Sequence, residues 1–196
     1  MWRDEMSAPV SQAAVVRSRS AEAARQVGII VVASLFVAVC ARFSLPIPGT
    51  PVPLSMQNFA VLVVGLSLGS RRGFIALALY LAEGAAGLPV FAPVGAAGIL
   101  RFAGPTAGYL MAYPFVAGLA GYMFERGKQT FLRAFSAAVA AEVLLFAIGI
   151  SWLFVLTHSL SRAIAFGLYG FVFAEILKVM FAAGVASTWR RFVPTN

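Results

Sequence analysis

Three ionisable residues interrupt long apolar stretches of the sequence and are the first candidates for chemistry. Glu142 lies within residues 131–156, and Glu175 and Lys178 lie within residues 163–188. An ionised side chain at the centre of a membrane span costs about 2.5–3.5 kcal/mol, so residues of this kind usually serve a function. A spacing of three puts Glu175 and Lys178 on one helical face. This pair either binds a ligand or only fixes helix packing. For Glu142 we favour a structural role, because a proton can neutralise a single buried carboxylate.

Three further polar residues lie near the ends of apolar stretches. Arg101 stands alone in an apolar segment, where it can extend to the membrane interface or supply a cation to an anionic solute. Glu83 is expected to cap or pair locally, with Arg101 as a candidate partner. His158 is the one histidine of the sequence, and we expect it to be exposed in a short loop.

Sequence signatures of enzymes and metal sites are absent. The sequence contains no HExxH helix and no GxSxG turn. Around Gly127 and Lys128, Tyr122 and Gln129 replace the glycine and the hydroxyl residue that a phosphate-binding loop requires. The single cysteine, Cys40, excludes an intramolecular disulfide and a cysteine cluster. We therefore predict no catalytic residue, no metal and no cofactor, and any ATP that powers this protein must be hydrolysed by another chain.

The composition requires lipid as the solvent for part of the chain. Of the 196 residues, 61% are hydrophobic and 11% are charged, against about half and about a quarter in soluble domains. One soluble core of this size cannot bury so much apolar surface. The net charge of +8 comes from basic clusters between apolar stretches, which is typical of membrane topology and argues against nucleic-acid binding.

The apolar stretches predict an all-α integral membrane protein, a bundle of six transmembrane helices with irregular extracytoplasmic loops over a ligand pocket. The predicted spans are about 27–43, 56–69, 73–86, 105–124, 131–156 and 163–188. The second span is short for a bilayer, and we expect Ser55 to cap it with Gln57 and Asn58 facing inward. The first is too long for the core of a secretory signal, about 7–15 residues, and is interpreted as a retained helix.

The domain organisation follows from these spans. Residues 26–190 are predicted to form the membrane domain, residues 1–25 a polar, mobile cytoplasmic tail and residues 191–196 a short C-terminal tail. Two segments forbid regular helix: residues 44–55, with four prolines, and the apolar, Gly/Pro-rich residues 85–104. Irregular backbone survives near a membrane only where protein or a wet cavity satisfies its polar groups. We therefore expect residues 85–104 to lie over or into the bundle.

The distribution of lysine and arginine predicts the orientation. With six spans, eleven of the 15 basic residues fall on the side of the two termini and three on the opposite side. Basic loops remain in the cytoplasm, so both termini are predicted to be cytoplasmic. The two irregular segments then share the outer face, which an incoming nutrient would approach.

Three motifs resemble those of a known family. The stretches SLPIPGTPVPLSMQNFAVLVVGLSLG (44–69), YLAEGAAGLPVFA (80–92) and GPTAGYL (104–110) are similar in order and spacing to the BioY family, the biotin-binding S components of energy-coupling-factor (ECF) transporters. Ala107 replaces a glycine that is common in the family. The resemblance implies high-affinity biotin capture in the cytoplasmic membrane of a bacterium, with a transmembrane coupling protein and cytoplasmic ATPase subunits as partners. Whether the chain forms a homo-oligomer stays open.

The resemblance also implies roles for individual residues. Glu175 and Lys178 match an acidic residue and a lysine of the family's biotin pocket, with Glu in place of the commoner Asp, and Arg101 matches an arginine before the GPT motif. Ser34 and Ala38 match the small residues of the family's coupling surface.

Biotin combines a ureido ring with two N–H donors, an apolar sulfur ring and a carboxylate. Glu175 can accept from the donors, Lys178 or Arg101 can pair with the carboxylate, and Tyr109, Phe91 and Phe171 can form the walls.

Three alternatives to biotin capture remain. An S component of the same fold could bind another vitamin-like acid with a ureido or amide group. A membrane enzyme would need Glu142, Glu175 and His158 to converge from different depths, and a purely structural subunit would leave the two irregular segments without a purpose.

Overall fold

Helices form most of the computed structural model, which describes the backbone of residues 8–192 and the side chains of residues 20–189. The α-helices are α1 Ala8–Arg42, α2 Gln57–Leu68, α3 Ser70–Ala85, α4 Ala107–Glu125, α5 Phe131–Thr157, α6 Leu160–Ile164 and α7 Val172–Phe192. A 3-10 turn, Gly98–Ala103, precedes α4, and a π turn, Ala165–Tyr169, follows α6. Two short strands, β1 Ser44–Leu45 and β2 Leu54–Ser55, pair antiparallel.

Four helical segments are long and apolar enough to cross a membrane. They are Ser20–Arg42, Ala107–Glu125, Phe131–Thr157 and Val172–Trp189. The prediction of a largely helical membrane protein is thus confirmed, and the count of six spans stays a prediction. Helix α2 has 12 residues, which at 1.5 Å per residue reach only about 18 Å, well short of a hydrocarbon core of about 30 Å.

Helix α4 forms the centre of the bundle. In the membrane-length window of α4, 67% of the residues are buried, against 28% in that of α5. Small residues permit this close packing: a Cβ on Gly65 of α2 would lie 2.4 Å from the Ala117 carbonyl oxygen of α4. A Cβ on Gly121 would lie equally close to the backbone at Gly69. In lipid there is no hydrophobic driving force between two helices, so the packing of α2 against α4 depends on backbones that can approach closely.

The first helix is longer than predicted. We expected a mobile tail over residues 1–25, yet helix α1 begins at Ala8. The helix extends into the polar segment because hydropathy marks the membrane-spanning part of a helix and not its start, and the alanines and arginines here are good helix formers. An exposed ion pair of 2.9 Å joins Glu22 and Arg25 one turn apart. Residues 1–7 and 193–196 lie outside the described part of the chain.

The last predicted span, 163–188, is interrupted. Its first two residues end α6, the π turn Ala165–Tyr169 follows, and α7 begins only at Val172. Gly167 explains the position of the break, because a Cβ there would lie 2.3 Å from the Tyr109 hydroxyl, so the turn can approach α4 only with glycine. Glu175 therefore lies in the first turn of α7 and not in the middle of a long span.

The two irregular segments lie at one end of the bundle, as predicted. The Tyr80 hydroxyl donates to the Val90 carbonyl at 3.0 Å, which holds residues 85–104 against α3. The Thr50 hydroxyl donates to the Phe166 carbonyl at 2.6 Å, which joins the β1–β2 connection to the π turn. These hydrogen bonds satisfy backbone groups that lipid would leave without partners.

Candidate ligand-binding site

A cavity lies at this end of the bundle, beneath the irregular segments. It has about 570 Å³ of space free of protein atoms, including its opening to solvent. Its apolar and aromatic wall comprises Val52, Pro53, Ala92, Tyr109, Leu110, Tyr113, Phe146 and Phe171, together with Gly167. Its polar lining comprises Ser55, Gln57, Asn58, Arg101, Thr106 and Glu175. An apolar wall with a few polar groups is characteristic of small-molecule sites.

A buried polar network joins three helices beside the cavity. The Asn58 Nδ2 of α2 donates to Glu142 Oε1 of α5 at 2.5 Å and to Glu175 Oε2 of α7 at 2.7 Å. Glu175 Oε1 accepts from Lys178 Nζ at 2.7 Å, which confirms the predicted ion pair. Lys178 Nζ also donates to the Ser55 carbonyl at 2.6 Å. Since a buried charge is tolerated only when paired and hydrogen-bonded, the network explains how both ions remain inside the protein.

The starts of α2 and α7 position several residues of this network. The Ser55 hydroxyl accepts from the Gln57 backbone N–H at 3.1 Å at the start of α2, although the N-cap position itself is occupied by Met56, which makes no side-chain cap hydrogen bond. Gln57 and Asn58 are 4% and 5% exposed and face inward as expected. Glu175 occupies the first turn of α7, where the partial positive charge of a helix N-terminus stabilises a carboxylate.

Arg101 is the cation of the cavity lining. It lies in the 3-10 turn and is 4% exposed. Its Nη1 donates to the Val94 carbonyl and, at 3.4 Å, to the Ala96 carbonyl, while its Nε has no hydrogen-bond partner. Burial lowers the pKa of the Arg101 guanidinium, and no carboxylate among the described side chains forms an ion pair with it. The guanidinium is thus desolvated without a compensating anion.

The predicted pairing of Arg101 with Glu83 is wrong. The Glu83 carboxylate of α3 accepts a hydrogen bond from the Ser34 hydroxyl of α1. Ser34 is fully buried, so in this structure it does not present the surface to a partner protein that the family resemblance implied. The role of Ser34 in coupling stays a prediction, and spacing along α1 alone did not indicate that this residue faces α3. Ala38, the other residue assigned to coupling, is half-buried.

Tyr109 is positioned by two glycines on neighbouring elements. Its hydroxyl donates to the Gly167 carbonyl at 3.0 Å, and a Cβ on Gly149 would lie 2.3 Å from its ring. The ring also makes an edge contact with Phe146, at 6.3 Å between centroids. Helix α5 and the π turn therefore hold Tyr109 in the cavity wall.

The structure brings together most, but not all, of the predicted ligand residues. Glu175, Arg101, Tyr109 and Phe171 line the cavity. Lys178 contacts the site through Glu175 and lies on the floor of a separate surface groove beside β1–β2.

Phe91 packs behind the cavity wall. It covers Gly84 and makes edge contacts with Tyr80 and Phe102 at 5.4 and 5.8 Å. Its neighbour Ala92 lines the cavity instead.

Sequence reasoning missed several lining residues that a helical pattern could have revealed. Thr106, Leu110 and Tyr113 lie three or four residues apart with Tyr109, along one face at the start of α4. Phe146 lies one turn after Glu142 on α5 and shares its face. His158 is exposed at the end of α5, as expected, and does not join the acidic residues.

Fold and site together define a multi-pass helical membrane protein with a partly enclosed cavity for a small molecule. A crystal structure at 2.1 Å of the S-component for biotin from an ECF-type ABC transporter has the same fold, with a TM-score of 0.79 and 21% sequence identity. The similarity covers 87% of this chain and 93% of that one.

The BioY family model matches residues 10–195, and the chain belongs to the BioY family. A biotin transporter BioY from Thermotoga maritima is 34% identical over 140 residues, which are 71% of this chain and 82% of the relative. A second, from Rhizobium etli, is 35% identical over 166 residues, 79% of this chain and 88% of the relative. These relatives are named as transporters, in agreement with a transport role predicted from the sequence.

Proposed function

We propose that this chain captures biotin outside the cell as the substrate-binding S component of an ECF-type importer. The main support is the arrangement of the cavity, which combines an acceptor-rich end at Asn58 and Glu175, aromatic walls, and one guanidinium without a carboxylate partner. Biotin presents the complementary groups: two ureido N–H donors, an apolar ring and a carboxylate. The names of the relatives and of the similar structure point to the same ligand.

Arg101 is the better partner for the biotin carboxylate. Lys178 is already engaged, since its ammonium contacts Glu175 and the Ser55 carbonyl and lies outside the cavity lining. Arg101 lines the cavity and has a free Nε donor. A carboxylate accepts well from guanidinium, and a charge-assisted hydrogen bond of this kind is stronger than a neutral one.

The ureido ring is assigned to the opposite end of the cavity. Both hydrogens of the Asn58 amide are used by Glu142 and Glu175, which leaves Asn58 Oδ1 as an acceptor without a partner. Asn58 Oδ1 and a second lone pair of Glu175 provide two acceptors for two ureido N–H groups.

The proposal includes the arrangement in the membrane. In a bacterial cytoplasmic membrane, six helices would cross with both termini in the cytoplasm, and the cavity would open to the outside. Arg71 and Arg72, at the start of α3, lie at the end of the bundle opposite the cavity, as the excess of cytoplasmic basic residues requires. A transmembrane coupling protein and ATPase subunits would supply the energy, and Ala38 on α1 is the residue we assign to that contact.

Binding of biotin to the purified full-length chain tests the function directly. We expect saturable binding of one biotin per chain by calorimetry, with thiamine, riboflavin and other vitamins failing to compete. Absence of biotin binding in a protein that unfolds cooperatively would refute the proposal. Displacement by a different ureido or amide acid would instead show that the same cavity serves another vitamin.

Uptake by cells tests the role in transport. Cells that express the chain together with an ECF coupling protein and ATPases should accumulate labelled biotin. Ala38→Trp should reduce this uptake while biotin binding to the purified protein stays unchanged, because residue 38 does not line the cavity. Equal loss of binding and uptake would show that position 38 affects folding or the site and not coupling.

A further inference from the structure

The number of buried charged side chains indicates that one buried carboxylate must take up a proton when an anion binds. Four side chains that ionise in water are buried among the described residues: Arg101, Lys178, Glu142 and Glu175. If all four are charged, the empty site is neutral. An anionic ligand such as the biotin of the proposed function, on which this inference rests, would then leave one uncompensated negative charge among buried side chains. A net buried charge is costly, and a carboxylate avoids the cost by taking up a proton.

Only one of the two acids is suited to hold that proton. Glu175 has an ammonium 2.7 Å away and lies at a helix N-terminus, and both features favour the ionised form. Glu142 forms no ion pair with any side chain that the structure describes. Its partner is the neutral amide of Asn58, and its Oε2 has no hydrogen-bond partner among those residues.

The surroundings of Glu142 offer little to stabilise a negative charge. Its far side borders a crevice between α5 and α7 with apolar walls formed by Val139, Phe146, Val172 and Ile176. On α7, which packs against α5, Glu175 repels an ionised Glu142, and Lys178 is bonded to Glu175. On α4, Tyr109 and Tyr113 are neutral phenols. On α6, Arg162 is exposed.

We infer that Glu142 carries a proton when the anionic ligand is bound and thereby makes the loaded site electrically neutral. The proton comes from solvent and is held on the Glu142 carboxyl, while Asn58 continues to donate to Oε1. Glu142 does not line the cavity, so it acts as a positioning and charge-compensating residue through Asn58. At any pH at which the empty protein has lost this proton, ligand binding must take one up.

Infrared spectroscopy of the biotin-loaded protein reads this proton directly. The biotin-loaded wild type should show a C=O band of a protonated carboxylic acid, and this band should be missing from biotin-loaded E142Q. In the difference between the two spectra, the bands of biotin itself cancel. Glu142→Gln keeps the shape and the acceptor for Asn58. E83Q is the matched control, because Glu83 bonds to Ser34 away from the cavity, and it should retain the band that E142Q loses. A loaded wild type without a Glu142 acid band would overturn the inference.

The pH dependence of affinity gives a second, functional readout. E83Q should bind biotin within about twofold of wild type at neutral pH and keep its pH dependence, because Glu83 does not line the cavity. At pH values at which the ligand-free wild type has lost the Glu142 proton, its Kd for biotin should rise by up to about tenfold per pH unit. E142Q should lack this part of the pH dependence. An E142Q protein that keeps the full pH dependence of the wild-type Kd would contradict proton uptake by Glu142. Biotin binding with an ionised Glu142 refutes this inference alone, whereas a wild type that does not bind biotin refutes the proposed function as well.

Discussion

The ammonium of Lys178 lies 2.7 Å from a carboxylate oxygen of Glu175, one turn away on α7, and both side chains are buried. The second hydrogen bond of the ammonium goes to the Ser55 carbonyl. Lys178 therefore orients Glu175 and ties α7 to the start of α2. This arrangement separates the two cations of the site, since Lys178 stabilises the acceptor end and Arg101 remains available for an anion.

Loss of the Arg101 cation should weaken biotin binding selectively. In R101Q we expect a Kd about 10- to 150-fold higher, which corresponds to about 1.5–3 kcal/mol for a charge-assisted hydrogen bond. Calorimetry with biotin and with its neutral amide measures the effect, and the amide should bind R101Q and wild type almost equally. R162Q is the control, because Arg162 is exposed at the same end of the molecule. Equal losses for acid and amide would show that Arg101 does not meet the carboxylate.

The buried ion pair should show strong coupling in a double-mutant cycle. K178M alone leaves an unpaired buried carboxylate and should reduce the free energy of unfolding by about 3–5 kcal/mol. The double variant E175Q/K178M should cost clearly less than the sum of the two single variants, because it removes both charges together. Unfolding in mixed micelles provides the measurement. Additive effects would mean that the pair does not interact in the membrane protein.

The two glycines next to Tyr109 should not tolerate a methyl group. In G149A the new Cβ would lie 2.3 Å from the Tyr109 ring, so the ring must move, at a cost of about 1–3 kcal/mol for overpacking. We expect lower stability and weaker biotin binding in thermal-shift and calorimetric measurements.

G184A is the matched control, since nothing lies within 4 Å of the added Cβ on α7. Alanine there should be neutral or stabilise the helix by up to about 1 kcal/mol. A G149A protein as stable as G184A, with unchanged affinity, would contradict the assigned packing of Tyr109.

Removal of the Ser34 hydroxyl should destabilise the contact between α1 and α3. S34A leaves the Glu83 carboxylate without the donor that it has in this structure, at an expected cost of about 1–3 kcal/mol. S136A removes an exposed hydroxyl that bonds only to its own helix and should change stability by less than about 0.5 kcal/mol. Thermal unfolding compares the two. If S34A impairs biotin uptake but not stability, Ser34 belongs to a coupling surface after all.

Helical periodicity and composition were sufficient for the local features. They predicted the helical membrane class, the position of the irregular segments against the bundle, the inward direction of Gln57 and Asn58, and the Glu175–Lys178 pair. All of these depend on residues within one or two turns or on the chemistry of lipid. They failed where a contact with another element decides the outcome, as at Glu83, which accepts from Ser34 and not from Arg101, and at the start of α7.

The amino-acid sequence by itself determined that Glu175 and Lys178 share a helical face, because a separation of three residues leaves no other choice in an α-helix. Only the tertiary structure decided that Asn58 donates to both Glu142 and Glu175, which are 84 and 117 residues away along the chain. Periodicity orders side chains around one helix axis and carries no information on how two axes are rotated relative to each other. That rotation depends on where glycines let backbones meet, as Gly65 does against Ala117 and Gly121 against Gly69.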